Sequence, residues 1–300
     1  MVGLPNSVEI VEVGPRDGLQ NQPVAVSTAD KVALIERAIA AGARRVEATA
    51  FVHPKWVPQM ADAEAVMAAV PRLPDVSYIG LVLNRRGLER ALDAGVDEVH
   101  MGIFATDAFN QKNQGKSTEE SLADWVVIAD LAHRAGVRAS VSIAAAFGCP
   151  FEGEVSAERV IELARRLADT GPAELGLGDT IGVGVPTQVS TLLGGIREAV
   201  GEIPLRCHFH NTRNTGYANA AAAVAAGVSA LDASVGGLGG CPFAPAATGN
   251  IATEDLTYLL ERMGVSTGIS LDSMAHTGRW MEELGLKPEA LLGRAGGFPQ

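Results

Sequence analysis

Aromatic residues are scarce. Phe, Tyr and Trp make up 5% of the 300 residues, although hydrophobic residues as a whole make up 47%. A core built with so few rings must be mostly Ala, Val, Leu and Ile, which suits short strands and Ala-rich helices packed in layers. Cysteine is scarcer still. Cys149, Cys207 and Cys241 are an odd number at irregular spacing, which excludes a disulfide framework. Positive charge is in deficit: 24 Lys and Arg face 35 Asp and Glu, for a formal net charge of -11. That excludes nucleic acid as the main partner, since phosphate binding needs a basic face. It leaves room for an anionic small molecule held by local Arg and Lys. No apolar run approaches the ~20 residues of a membrane span. The first residues, Met1-Val2-Gly3-Leu4-Pro5-Asn6, show no basic stretch followed by an apolar one. These absences together predict a reduced, cytoplasmic protein with no membrane partner.

What the chain has in quantity is alternation. Short apolar segments bounded by Gly, Pro or polar residues fall at 8–13, 45–51, 77–83, 98–104, 138–145, 174–178, 205–210 and 230–235. Each reads as a buried parallel strand. Segments of helical period lie between them, at 28–41, 118–135, 156–169 and 216–226 among others. Ser117-Thr118-Glu119-Glu120 has the pattern of a capping box. An Ala-Gly phrase recurs before the next strand, at Ala41-Gly42, Ala94-Gly95, Ala135-Gly136 and Ala226-Gly227. Each reads as a helix end whose Gly turns left-handed. Eight strand–helix units make a (β/α)8 TIM barrel, about 8–250, with extra C-terminal helices at 254–263 and 273–284 in a tail to residue 300. No linker or low-complexity stretch divides it, so a single domain over 1–300 is expected.

Active sites in such barrels lie at the C-terminal ends of the strands, and the chemically able residues cluster there. Asp17 follows the first strand, Glu47 lies within the second, His208 and His210 close the seventh, and Cys241 and Asn250 follow the eighth. Strands 1, 7 and 8 are neighbours in a closed barrel, so these side chains can converge. His208 and His210 are two apart and share a strand face. With Asp and Asn oxygens and no thiolate, the set favours Mg²⁺ or Mn²⁺ over structural zinc. Arg16 cannot lose its proton and can stabilise a developing enolate. Glu47, in an apolar run, needs a partner; Arg16 or a metal-bound water would serve. Asp179 could play a similar part. Cys241 sits in a glycine-rich loop, Gly236-Gly237-Leu238-Gly239-Gly240-Cys241-Pro242-Phe243, with the freedom a lid needs. Cys149 stands in nearly the same tetrapeptide and reads as a buried small hydrophobe. Cys207, alternating with the His pair, should face the helices. Lys112 and Lys116 read as solvated loop residues.

The chain resembles the hydroxymethylglutaryl-CoA lyase family, metal-dependent barrel lyases related to Claisen-type synthases. The resemblance rests on 11–21 around Gly14-Pro15-Arg16-Asp17-Gly18-Leu19-Gln20-Asn21, on 51–60, on 178–184, and on 237–243 running on through 248–255. It implies cleavage of 3-hydroxy-3-methylglutaryl-CoA to acetyl-CoA and acetoacetate, and a homodimer. It implies Asp17, His208, His210 and Asn250 as ligands of a divalent cation, with His208 also a candidate base. Arg16 would stabilise the enolate, Glu47 would support Arg16, and Cys241 would supply a proton. Arg16, Gln20 and Arg213 would contact the acyl-CoA substrate. One departure stands out. Where the family continues His-Asp-Thr-Tyr-Gly-Gln, this chain has His210-Asn211-Thr212-Arg213-Asn214-Thr215. An acid is lost and a cation gained, which makes a related 3-hydroxy-3-alkylglutaryl-CoA or citramalyl-CoA an alternative substrate. A synthase condensing acetyl-CoA with a 2-oxo acid, and a noncatalytic CoA-ester or metal-binding barrel, are the competing readings.

Overall fold

The computed structural model describes residues 3–240 and 249–297. Eight parallel strands close into a barrel in chain order. They are β1 (Glu9–Glu12), β2 (Arg45–Ala50), β3 (Ser77–Leu81), β4 (Glu98–Phe104), β5 (Arg138–Ala144), β6 (Glu174–Asp179), β7 (Leu205–Phe209) and β8 (Ala230–Ala233). Val11 of β1 pairs with Asp232 of β8, which shuts the ring.

Around the strands run α1 (Thr28–Ala40), α2 (Ala63–Ala69), α3 (Arg85–Asp93), α4 (Asp107–Gln114), α5 (Thr118–Arg134), α6 (Ala157–Ala168), α7 (Pro186–Val200), α8 (Gly216–Ala225), α9 (Thr253–Arg262), α10 (Leu271–Glu283) and α11 (Leu292–Ala295). Several starts follow side-chain caps. Ser27, Ser117 and Ser156 each accept an amide of the first turn, and Ser117 with Glu120 completes the capping box. The Ala-Gly phrases end helices as read, with Gly95 at φ 72° and Gly136 at φ 71°. One assignment changes. The helix expected at 254–263 is not tail. As α9 it packs between α8 and α10 and is the eighth helix of the ring. The additions are α4, inserted after β4, and α10 and α11 at the C-terminal end, with α10 packed between α9 and α1. No helix among the described residues is long and apolar enough to cross a membrane.

Strand alternation sorts the interior into two zones. Val46, Ala48 and Ala50 of β2, and Cys207 and Phe209 of β7, face the helices and join the main core. That layer is the aliphatic core expected from composition. The barrel lumen is different. Arg45 of β2 reaches Glu98 of β4 at 2.9 Å and Glu174 of β6 at 2.9 Å. Neither strand is a neighbour of β2, so these contacts cross the interior. Val11, Val13, Ile79 and Ala230 form a small apolar cluster apart from the main core. The lumen is therefore tied by ion pairs, each of which must offset its own desolvation.

Candidate active site

The site begins where β1 ends. The Val13 carbonyl accepts the amides of Arg16, Asp17 and Gly18 at 3.2, 2.8 and 3.1 Å, which winds Gly14–Gly18 into one helical turn. That turn sets Arg16 and Asp17 side by side at the rim. Arg16 Nη1 lies 2.5 Å from Asp17 Oδ1, and its Nη2 lies 2.5 Å from Glu47 Oε2. The carboxylate in the apolar run of β2 thus has the guanidinium as its partner. Burial pushes the Glu47 carboxyl up, and the charge of Arg16 pulls it back only in part. Gln20 donates Nε2 to Asp17 Oδ1 at 3.3 Å, so it holds the acid from the other side.

From β7, His208 follows on the lumen face, and His210 lies just past the strand. His210 bridges to Asn250 of the segment after β8. The ring centroids of His208 and His210 are 5.1 Å apart. Asp17, His208 and His210 each offer a ligand atom, and these atoms all lie within 4.8 Å of one another. Asn250 donates Nδ2 to Asp17 Oδ2 at 2.9 Å and to the Leu238 carbonyl at 3.1 Å. Its Oδ1 is buried with no hydrogen-bond partner among the described residues. An orphaned buried acceptor beside two imidazoles and a carboxylate fits a bound cation, which would satisfy it. Burial pushes Asp17 up, but Arg16, His208 and His210 outweigh it and hold the carboxyl at about 2. It is an anion at any physiological pH, as a hard-cation ligand must be.

A family model described as HMGL-like matches residues 7–281. The chain belongs to the HMGL-like family. The chain is similar to a hydroxymethylglutaryl-CoA lyase of Bacillus subtilis, 43% identical over 95% of each chain. It is equally similar to an (R)-citramalyl-CoA lyase of Chloroflexus aurantiacus, 44% identical over 98% of this chain and 96% of that one. An HMG-CoA lyase of Acinetobacter baumannii, solved with coenzyme A and 3-methylmalate, superposes with a TM-score of 0.94 at 35% identity, covering 100% of both chains.

The HMGL-like chain brings Arg16, Asp17, Gln20, Glu47, His208, His210 and Asn250 together. Cys241 lies outside the described residues. The two glycines before it are held: Asn21 donates to the Gly240 carbonyl at 2.7 Å, and Gly239 packs on Asn250. At φ +137°, a Cβ on Gly239 would lie 2.5 Å from Asn250 Nδ2, so glycine is required there. Arg213 is exposed. Its Nη1 donates to the Ile181 and Gly182 carbonyls at 2.9 and 3.0 Å, pinning the loop after β6 to the loop after β7. Asn211 Oδ1 accepts the Gly216 amide, a local cap. Asp179 turns to its own loop and accepts the Val183 and Gly184 amides. Cys149 is buried and accepts from the Thr106 hydroxyl. Lys116 is bound to Asp124.

Two functional neighbours escaped the sequence reading. Asp232 accepts from His208 Nδ1 at 3.1 Å, and Arg206 Nε faces Asp232 Oδ1 at 3.2 Å. Part of the signal lay in the sequence. Arg206 stands two before His208 on the same strand face, and Asp232 is a carboxylate in an apolar strand, like Glu47. Burial pushes the Asp232 carboxyl up, and Arg206 with His208 brings it below its ordinary range. Burial lowers His208, and Asp232 and Asp17 more than restore it.

Proposed function

We propose that the chain is a divalent-cation-dependent carbon–carbon lyase that cleaves 3-hydroxy-3-methylglutaryl-CoA to acetyl-CoA and acetoacetate. One observation carries the reading: a cation-sized cluster of Asp17, His208 and His210, with the orphaned Asn250 Oδ1, stands beside a buried guanidinium. Asp17, His208, His210 and Asn250 would hold Mg²⁺ or Mn²⁺. The bound ion would acidify the tertiary hydroxyl of the substrate.

The chain's own groups supply the rest. Cleavage breaks the bond between the hydroxyl-bearing carbon and the carbon next to the thioester, and leaves negative charge on the thioester enolate. Arg16, always protonated and held by Glu47, is placed to receive that charge. Glu47 positions Arg16, and Gln20 positions Asp17 while lying close enough to meet substrate. Asp232 occupies His208 Nδ1 and leaves Nε2 for one role. We assign Nε2 to the ligand set. Cys241, next in sequence after Gly239 and Gly240, is assigned as the acid that protonates the enolate carbon to give acetyl-CoA.

A second reading keeps the chemistry and changes the acyl group. The similarity to an (R)-citramalyl-CoA lyase, at 44% identity, matches that to a hydroxymethylglutaryl-CoA lyase at 43%. Citramalyl-CoA would give acetyl-CoA and pyruvate by the same bond cleavage. A coupled acetyl-CoA release assay with each thioester, in Mg²⁺ and in Mn²⁺, tests both. The expected result is rapid release from 3-hydroxy-3-methylglutaryl-CoA that EDTA abolishes. Slow release there with fast release from citramalyl-CoA would favour the second reading, and release from neither would overturn the lyase.

A further inference from the structure

A line of buried charge runs down the barrel from the cation cluster. His208 Nδ1 lies 3.1 Å from Asp232 Oδ2. The other oxygen of Asp232 faces Arg206 Nε at 3.2 Å, and the two side chains are 6% and 3% exposed. Arg206 Nη1 lies 3.4 Å from Glu174 Oε2, and its Nη2 lies 3.1 and 3.2 Å from the two ring nitrogens of His100. Glu174 is bound to Arg45, 2.9 Å away at the base of the lumen. The rim and the base are therefore joined by one chain of contacts.

The chemistry of histidine gives this line a consequence. An imidazole binds a cation through a lone pair on one nitrogen while the other nitrogen carries the proton. A carboxylate accepting that proton's hydrogen bond fixes the tautomer and the ring plane, and makes the ligand nitrogen more basic. Here Asp232 takes Nδ1, and His208 Nε2 faces the cluster, 4.0 Å from Asp17 Oδ2. Asp232 in turn has freedom to turn away from the ring unless something holds its second oxygen. Arg206 does that from the strand next to it. Glu174 Oε2 faces the arginine from below, 3.4 Å from Arg206 Nη1.

We propose that Asp232, held by Arg206, is the positioning residue that fixes His208 in the ligand set, so that the interior charge line governs cation affinity. The inference rests on the cation-dependent reading above but not on the identity of the acyl group. R206M separates this role from charge alone: losing a nearby positive charge would by itself tighten Mn²⁺ binding, whereas releasing Asp232 weakens it, so tighter binding in R206M would overturn the proposal.

The test is a Mn²⁺ titration of EDTA-stripped full-length protein without substrate, by calorimetry and by the free-Mn²⁺ electron paramagnetic resonance signal. D232N is expected to weaken Mn²⁺ binding about 10–100-fold. R206M should weaken it in the same direction and R206K less. The double variant D232N/R206M should bind no worse than D232N alone, because Arg206 acts through Asp232. At saturating Mn²⁺, KM for the thioester should stay near the wild-type value. A Kd within about twofold of wild type in D232N, whatever its melting temperature, would overturn the proposal, using the affinity change in as the scale. If D232N does not fold, D232E keeps the charge but displaces the ring, and unchanged affinity there would overturn it equally. The titration needs no substrate, so a wrong substrate assignment shows in the release assay alone.

Discussion

At Arg16 one guanidinium serves two carboxylates at 2.5 Å each. That arrangement makes the cation rigid before any charge develops, which is the condition for transition-state stabilisation without reorganisation. Arg16→Gln should therefore lower kcat by about 10²–10³-fold at saturating metal, with a smaller change in KM, as steady-state kinetics will read. Arg213 belongs to a different class of effect. Its Nη1 joins the loops after β6 and β7 through two carbonyls, and a tyrosine at that position cannot donate both bonds. Arg213→Tyr should shift the ratio of kcat/KM between 3-hydroxy-3-methylglutaryl-CoA and citramalyl-CoA by about tenfold, the scale of a single pocket contact. An unchanged ratio would remove Arg213 from specificity. The residues brought together at the candidate cation site were legible because each is a polar group in an apolar or glycine-rich setting. Asp232 and Arg206 have the same signature. They were not separable from ordinary strand polarity until the facing strand was known, since a polar residue in a parallel strand can turn to the lumen or to the helix layer.

At the scale of elements, the ends of the eight strands and of the six helices given bounds were read to within a turn because caps and Ala-Gly phrases mark them, whereas α4, which carries Lys112, was read as loop. What was not read is how β1, the turn Val235–Gly237 and α9 are fastened together. Glu12 is fully buried and accepts the Gly14 amide at 2.8 Å, the Val235 amide at 2.9 Å and the Thr253 hydroxyl at 2.7 Å. Glu254 accepts the Gly236 amide. Burial raises Glu12 to about 7 and Glu254 to about 8 against those donors. The Thr253 hydroxyl can accept as well as donate, so a protonated Glu12 loses no partner. The sign follows. Above pH 4.5, the ordinary value, the unfolded chain has released the Glu12 proton, while the folded chain keeps it to about 7. The unfolded state binds fewer protons in that window, so stability falls as pH rises through it and levels off beyond. Glu12→Gln should flatten the fall by about 3 kcal/mol between pH 5 and 8, from the shift converted at 1.36 kcal/mol per unit. Urea denaturation at the two pH values checks it, and an equally steep fall in the variant would show that other groups set the slope.

The whole molecule is a closed barrel, and closure is what makes the site. Asp17 from the turn after β1, the histidines from β7 and Asn250 from beyond β8 meet because β8 pairs with β1. Eight short apolar strands in sequence were enough to foresee that. The charged lumen was not foreseeable, because Arg45 meets Glu98 and Glu174 across non-adjacent strands, and which residues face each other there depends on the stagger of the closed sheet rather than on local pattern. The same geometry argues the last prediction. Arg45 is 8% exposed at its side chain and sits between Glu98 at 0% and Glu174 at 2%. Removing its charge leaves carboxylates that water cannot reach, so Arg45→Met should cost about 3–5 kcal/mol. Arg138 contacts the same two carboxylates but is 40% exposed, and without it both remain paired with Arg45. Arg138→Ala should cost only about 0–1 kcal/mol. The urea midpoints of the two variants against wild type, at unchanged m, measure the difference. Similar costs for both would mean that the lumen is wet and that its ion pairs do not hold the barrel shut. A large cost at Arg45 alone would mean that the barrel is closed from inside by charge, with the aliphatic layer packed around it.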